Sequence, residues 1–268
     1  MNIPILNHLG RLCRIPKGAE SILLLGLLSG YPVGAKLVAD SYTAGRLDKH
    51  SAQRMLPFCN NAGPSFIFGF LTPLFVNKYI PLILWLIHML SALITGLLLP
   101  GEANSTHRYC SAKATNATTV LFSTMKSLVG ICGWVILFKV LLAMANTWFL
   151  DRCTPIIRVC VSGLCELVNG CISLQGIANE ATRMILCACL LACGGLCIYM
   201  QTASVTGDLQ LDIYIPGKLL QTLISLLVIV PVACCFGTVN KWFWYIWLCC
   251  AVSVTALIML LKRRDSKK

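Results

Sequence analysis

Leu27-Leu28-Ser29-Gly30-Tyr31-Pro32-Val33-Gly34-Ala35-Lys36 is the stretch that decides the fold. The apolar run 21–28 is only eight residues long when Ser29-Gly30-Tyr31-Pro32-Val33-Gly34 interrupts it, and a second short run starts at Ala35. Glycine and proline break helices and free backbone N–H and C=O groups. In lipid such groups must be buried in protein or line a watery cavity. The interrupted run therefore reads as a helix that turns back inside a membrane protein, not as a simple span.

Composition supplies the membrane. The 268 residues are 57% hydrophobic and 12% charged, against about 25% charged in a typical soluble chain, and the mean hydropathy is +0.77. There are too few polar side chains to cover a soluble domain. This excludes a soluble enzyme, a disordered chain and a fibrous protein, and makes the lipid bilayer the first partner. The 22 Lys and Arg against 10 Asp and Glu read as the positive-inside bias of membrane proteins, so no nucleic-acid partner is expected. Many of the sixteen cysteines, such as Cys187, Cys189, Cys193 and Cys197, sit in apolar runs, where Cys acts as a small apolar residue. Without a C-x-x-C pair or a nearby histidine, neither zinc nor a disulfide framework is expected. Pro4, Pro16 and several charges break the N-terminal stretch, so no cleavable signal peptide is expected. Asn104 and Asn116 match the glycosylation pattern, which is common by chance.

Runs 80–99, 128–150 and 242–261 are long enough to cross simply, at about 20 residues each. Run 219–236 is shorter but uncharged. Tyr79, Trp148, Trp242, Trp244 and Tyr245 lie near the ends, where interfacial aromatics belong. The remaining runs are broken: 59–75 at Asn60-Asn61-Ala62-Gly63, 156–179 at Val168-Asn169-Gly170, and 183–203 at Cys193-Gly194-Gly195. Each half thus offers a hairpin, a broken helix and a span: 19–44, 59–75 and 80–99, then 156–179, 183–203 and 219–236. Gly and Pro are common in membrane helices generally, but matched interruptions in two halves point to a secondary transporter.

The expected fold is an all-α polytopic membrane protein with inverted repeats, two re-entrant helical hairpins and two discontinuous transmembrane helices. Residues 1–116 form the first repeat and a cytoplasmic loop. Residues 117–268 form the second repeat, with the span 128–150 ahead of its hairpin, and then a C-terminal span 242–261 and a basic tail. This path puts fifteen basic residues on one face, among them Arg11, Arg14, Lys17, Arg46, Lys49, Arg54, Arg108, Lys113, Lys126, Lys218 and those of 262–268. Five fall on the other: Lys78, Arg152, Arg158, Arg183 and Lys241. The bias places the C-terminus in the cytoplasm of a multi-pass cell-membrane protein.

The breaks carry the candidate chemistry. Lys36, in an apolar half-helix just past a break, is costly in lipid and marks a pathway. The positive end of the helix restarting at Ala35 adds to its attraction for a carboxylate. The alternative is that Lys36 snorkels to the headgroups. Glu166, beside the second hairpin's break, could bind a coupling proton or sodium ion, or pair with Lys36. Asn60, Asn61, Asn169 and Gln201 offer donors and acceptors for a substrate or for freed backbone groups. Ser29, Tyr31 and Ser65 join them, with Gly30, Gly194 and Gly195 at the turns. Lys139, mid-span, ranks below Lys36, and His88 reads as a helix-contact histidine. No G-x-S-x-G, H-E-x-x-H or Walker loop is present, so no enzyme activity and no cofactor beyond a coupling ion are expected.

Four of these segments also resemble a known family. The stretch 27–36, Phe58-Cys59-Asn60-Asn61-Ala62-Gly63-Pro64-Ser65-Phe66-Ile67-Phe68-Gly69, Gly163-Leu164-Cys165-Glu166-Leu167-Val168-Asn169-Gly170 and Gly194-Gly195-Leu196-Cys197-Ile198-Tyr199-Met200-Gln201 are similar, in order, to the YlbJ-like sporulation integral membrane proteins. These carry the nucleoside-recognition Gate domain. The resemblance implies a fold like that of concentrative nucleoside transporters, a spore-associated membrane, and movement of dipicolinate. Family members usually have further hydrophobic segments ahead of the first hairpin. The first repeat is thus expected to lack a scaffold helix, which a homo-oligomer or a membrane partner would supply. The function expected is secondary transport of a small anionic metabolite. The alternatives are a structural or assembly protein of the spore envelope with a relict transporter fold, or a nucleoside carrier.

Overall fold

In the computed structural model, which describes residues 4–101 and 116–265, the sequence breaks become turns between half-length helices. Every regular element among the described residues is helical. In the first half, α1 (Pro4–Leu12), α2 (Glu20–Ser29), α3 (Val33–Thr43) and α4 (Lys49–Cys59) precede a π-helical segment, Ser65–Leu71, and α5 (Ile80–Leu98). Then come α6 (Ala117–Trp148), α7 (Pro155–Cys165), α8 (Leu167–Ser173), α9 (Glu180–Cys193), α10 (Gly195–Thr206), α11 (Tyr214–Ala233) and α12 (Lys241–Asp265). Four stretches among the described residues are long and apolar enough to cross a membrane: Ile80–Leu98, Ala117–Trp148, Glu180–Thr206 and Tyr214–Ala233. Together with the composition they make this a helical, multi-pass membrane protein.

Helices α2, α3 and α7 have 10, 11 and 11 residues. At ~1.5 Å per residue each reaches ~15–17 Å, about half a ~30 Å hydrocarbon core. Both short pairs fold back on themselves. Gly26 of α2 and Gly34 of α3 stand against the same carbonyl, that of Cys59; in one straight helix they would be ~12 Å apart. Gly163 of α7 and Gly170 of α8 meet backbone to backbone. A Cβ at any of the four would collide. Lipid gives helices no hydrophobic reason to associate, so close approach through small residues holds such pairs together.

The connections gather at two ends. At one, Arg183 donates to the carbonyls of Leu74 and Ile177. There too the Glu180 carboxylate accepts from Val76 N at 2.7 Å, and Asn179 Nδ2 donates to the Thr238 carbonyl at 3.1 Å. At the other end Arg54, 2% exposed, donates to the carbonyls of Gly96 (2.7 Å), Leu99 (3.1 Å) and Cys13 (2.7 Å). The last carbonyls of α5 have no partner within the helix, and a cation suits its negative end. Lys78, Arg183 and Lys241 thus lie toward one end, and Arg14 and Arg54 toward the other.

Several expected boundaries are corrected. The first broken helix does not begin at residue 59. Its first half is α4, from Lys49, which is polar in its early turns because Asp48 caps it (Ser51 N to Oδ1, 2.8 Å) and because Arg54 is consumed by carbonyls. The second hairpin breaks at Glu166, not at Val168-Asn169-Gly170, because the Glu166 side chain caps α8. α6 starts eleven residues before the expected span 128–150, capped by Asn116, whose Oδ1 accepts from Thr118 N at 3.2 Å. α11 starts at Tyr214 rather than 219, since Pro216 sits in the first turn, where its missing N–H does no harm. Lys218 is therefore inside a helix and 4% exposed, not on a face. Asn104, Arg108, Lys113, Lys267 and Lys268 lie outside the described residues.

Candidate functional site

Each hairpin tip rests on a helix break. In the first half Gly30, in a left-handed conformation (φ 87°), lies so close to Gly63 that a Cβ on Gly63 would be 3.0 Å from the Gly30 backbone. In the second half Gly194 and Gly195 (φ 78° and 82°) open the turn between α9 and α10, and a Cβ on Gly195 would be 2.5 Å from the Gly163 carbonyl oxygen. Tyr31 links the halves. From the first tip its hydroxyl donates to the carbonyl of Leu191, just before the second break, at 3.1 Å.

A lysine lies at the centre of this crossing. Lys218 Nζ donates to the Asn60 carbonyl (2.6 Å), Gln221 Oε1 (2.9 Å), Asn61 Oδ1 (3.2 Å) and the Tyr31 hydroxyl (3.2 Å). It also sits 5.1 Å from the centre of the Tyr31 ring and 6.0 Å from that of Tyr214. Gln221 Nε2 donates to Asn61 Oδ1 at 2.9 Å. Asn61 Nδ2 donates to the Phe58 carbonyl at 2.7 Å, which ties the break to the last turn of α4. Asn60 Nδ2 donates to Thr202 Oγ1 (2.9 Å) and the Tyr214 hydroxyl (3.1 Å). His88 Nε2 accepts from Ala62 N at 3.1 Å. The chain frees backbone groups at residues 60–64; the Lys218 ammonium takes the Asn60 carbonyl and the His88 imidazole takes the Ala62 N–H.

Of the residues expected from sequence, Gly30, Tyr31, Asn60, Asn61 and Gly194 come together here. Glu166 and Asn169 meet at the second tip instead. The Glu166 carboxylate accepts from Val168 N (3.0 Å), Asn169 N (2.7 Å) and Asn169 Nδ2 (2.7 Å). Gly195 packs on that tip. Gln201 bonds locally, Nε2 to Cys197 Sγ at 3.2 Å. Ser29 and Ser65 are exposed.

Lys36 is elsewhere, and the expected pair with Glu166 is not formed. Two residues past Gly34 a helix has turned about 200°, so Gly34 faces Cys59 while Lys36 faces α6. Its ammonium lies 3.5 Å from Asp40 and 3.0 Å from Ser123 Oγ, in a cleft of about 390 Å³ shared with Thr43 and Thr119.

The sequence reading missed Lys218, Gln221, Tyr214 and Thr202. The signal was present: Tyr214, Lys218, Gln221 and Ser225 recur at helical spacing on one face of α11. Pro216-Gly217 hid it by suggesting that the helix had not yet begun.

With this geometry in view, the comparisons with known proteins bear on the family. The chain is 30% identical, over 103 residues, to the sporulation integral membrane protein YlbJ of Bacillus subtilis (strain 168). The chain resembles YlbJ. This supports the family resemblance. The match covers 38% of this chain and 25% of the relative, so the chain spans about a quarter of the curated relative's length. No family model matches the chain, and no solved structure does.

Proposed function

We propose that this chain is a sporulation-associated secondary transporter of a small anionic metabolite, with dipicolinate as the substrate that the resemblance to YlbJ implies. The observation that carries the reading is that both hairpin tips rest on helix breaks, Gly30 on Gly63 and Gly195 on Gly163, with Tyr31 joining them. The same relation in both halves is what two inverted repeats would produce, and such repeats place substrate at their crossing. In this reading the hairpins are re-entrant from opposite faces and the C-terminus is cytoplasmic. A proton or sodium gradient drives uptake, with Glu166 a candidate for the coupling site.

The test is uptake by the purified full chain in liposomes carrying a proton or sodium gradient. Labelled dipicolinate should accumulate above protein-free liposomes, and uridine should not. Uptake of uridine instead would make the protein a nucleoside carrier. Uptake of neither would overturn transport and leave an assembly role in the spore envelope.

A further inference from the structure

We infer that Lys218 is the residue that holds the substrate's charge, so that small organic carboxylates, and not neutral solutes of the same shape, are the ligands of the crossing. The inference rests on the transport reading only for how a ligand arrives there.

Lys218 is a buried lysine, 4% exposed. Among the described residues no carboxylate contacts its ammonium, in contrast to Lys36 with Asp40 and Arg158 with Asp151. Its four acceptors are all neutral: a backbone carbonyl, two side-chain amides and a phenol. An ammonium has three N–H donors, so these acceptors exceed what it can use, and one is released without loss when a ligand oxygen takes its place. Burying an ammonium is costly unless an opposite charge sits beside it. A carboxylate ligand supplies that charge.

The surroundings hold unspent capacity as well. Asn60 Oδ1, His88 Nδ1 and Ser225 Oγ, on the elements around Lys218, are among the buried side-chain polar atoms that have no partner. Asn60 carries the carbonyl on which Lys218 rests, His88 holds the adjoining Ala62 N–H, and Ser225 lies one turn beyond Gln221. With a ligand carboxylate on Lys218, these three atoms offer further hydrogen-bonding capacity on the elements around it. The Tyr31 and Tyr214 rings beside Nζ give it flat apolar walls. Tyr31, on the first hairpin tip, covers one side of the ammonium.

The experiment measures equilibrium binding of pyridine-2,6-dicarboxylate and of its diamide, which have the same ring but differ in charge, to the full chain in nanodiscs. The wild type should bind the dicarboxylate about tenfold or more tightly than the diamide, as a charge-assisted contact requires. Lys218→Met should abolish the preference and Lys218→Arg should regain part of it, while Lys241→Met, an exposed charge change, keeps it. Equal binding of the two probes by the wild type, or binding of neither, overturns the inference. So does a Lys218→Met protein that melts like the parent and keeps the preference. If Lys218→Met does not fold, the wild-type comparison of the two probes and the Arg variant decide. Lys218-dependent binding without uptake into liposomes would sink the transport reading and leave this one standing. Uptake that survives Lys218→Met would do the reverse.

Discussion

Replacing Glu166 separates its two possible duties. Its carboxylate, on a residue 3% exposed, accepts three N–H bonds within 3.0 Å and starts the seven-residue helix α8. Glu166→Gln keeps one acceptor oxygen but turns an NH2 group toward Val168 N or Asn169 N. Losing hydrogen bonds to a charged acceptor costs about 1.5–3 kcal/mol. With ~2–4 °C per kcal/mol for chains near this size, the melting temperature should fall by about 3–12 °C. Glu166→Asp should lose less, since Asp is a good helix cap. A double-mutant cycle with Asn169→Ala should show a coupling of about 0.5 kcal/mol or more, because the two side chains share a bond. The assay is thermal unfolding in detergent followed by tryptophan fluorescence. A Glu166→Gln protein melting within about 1 °C of the parent would refute the capping role. If Glu166 also carries the coupling ion, the same variant should bind substrate but fail to accumulate it against a gradient.

Arg54→Met should destabilise by at least about 3 kcal/mol, because it leaves three carbonyls without their donor at about 1–3 kcal/mol for each that is buried, and Arg54→Lys should recover only part, since one ammonium cannot reach all the carbonyls; unchanged melting of Arg54→Met would contradict this. Gly34→Ala should cost about 1–3 kcal/mol by pushing α3 off the Cys59 carbonyl, whereas Gly130→Ala, inside α6 with open space around it, should be neutral or stabilise by up to about 1 kcal/mol; equal melting of the two variants would show that the close approach does not matter. Lys36→Met should change stability by no more than about 1 kcal/mol, because its pair with Asp40 is half-exposed; a fall of several kcal/mol would mean that Lys36 is bonded more deeply than the cleft shows.

What was legible in the sequence follows from range. Apolar length alone gives α5 to within a residue, and Gly, Pro and Asn mark breaks at residues 30–34, 60–63 and 193–195, because these residues act on their own backbone. α4 was not legible from its own residues. Lys49, His50 and Arg54 make its start look like a loop, and only the carbonyls of α5, more than forty positions away, explain why Arg54 is buried. Lys36 and Lys218 show the same limit. Both are lysines beside Gly or Pro in apolar sequence. Which of them faces the crossing depends on helix rotation against Cys59 in one case and on α11 beginning four residues before Lys218 in the other. Glu166 was recognised as important from its place at a break, but its partners are its own backbone neighbours and Asn169, not a distant lysine.

A carrier of this kind needs both hairpin tips at mid-membrane. The direct measurement is immersion depth by electron paramagnetic resonance, with a genetically encoded nitroxide amino acid at Leu28 and, separately, at Leu164, both exposed residues beside the tips. With half-helices of ~15–17 Å, both labels should lie near the bilayer centre, ~15 Å from either edge of the hydrocarbon. A label at headgroup depth in either position would mean that the hairpin lies on the membrane surface, and no shared crossing would exist.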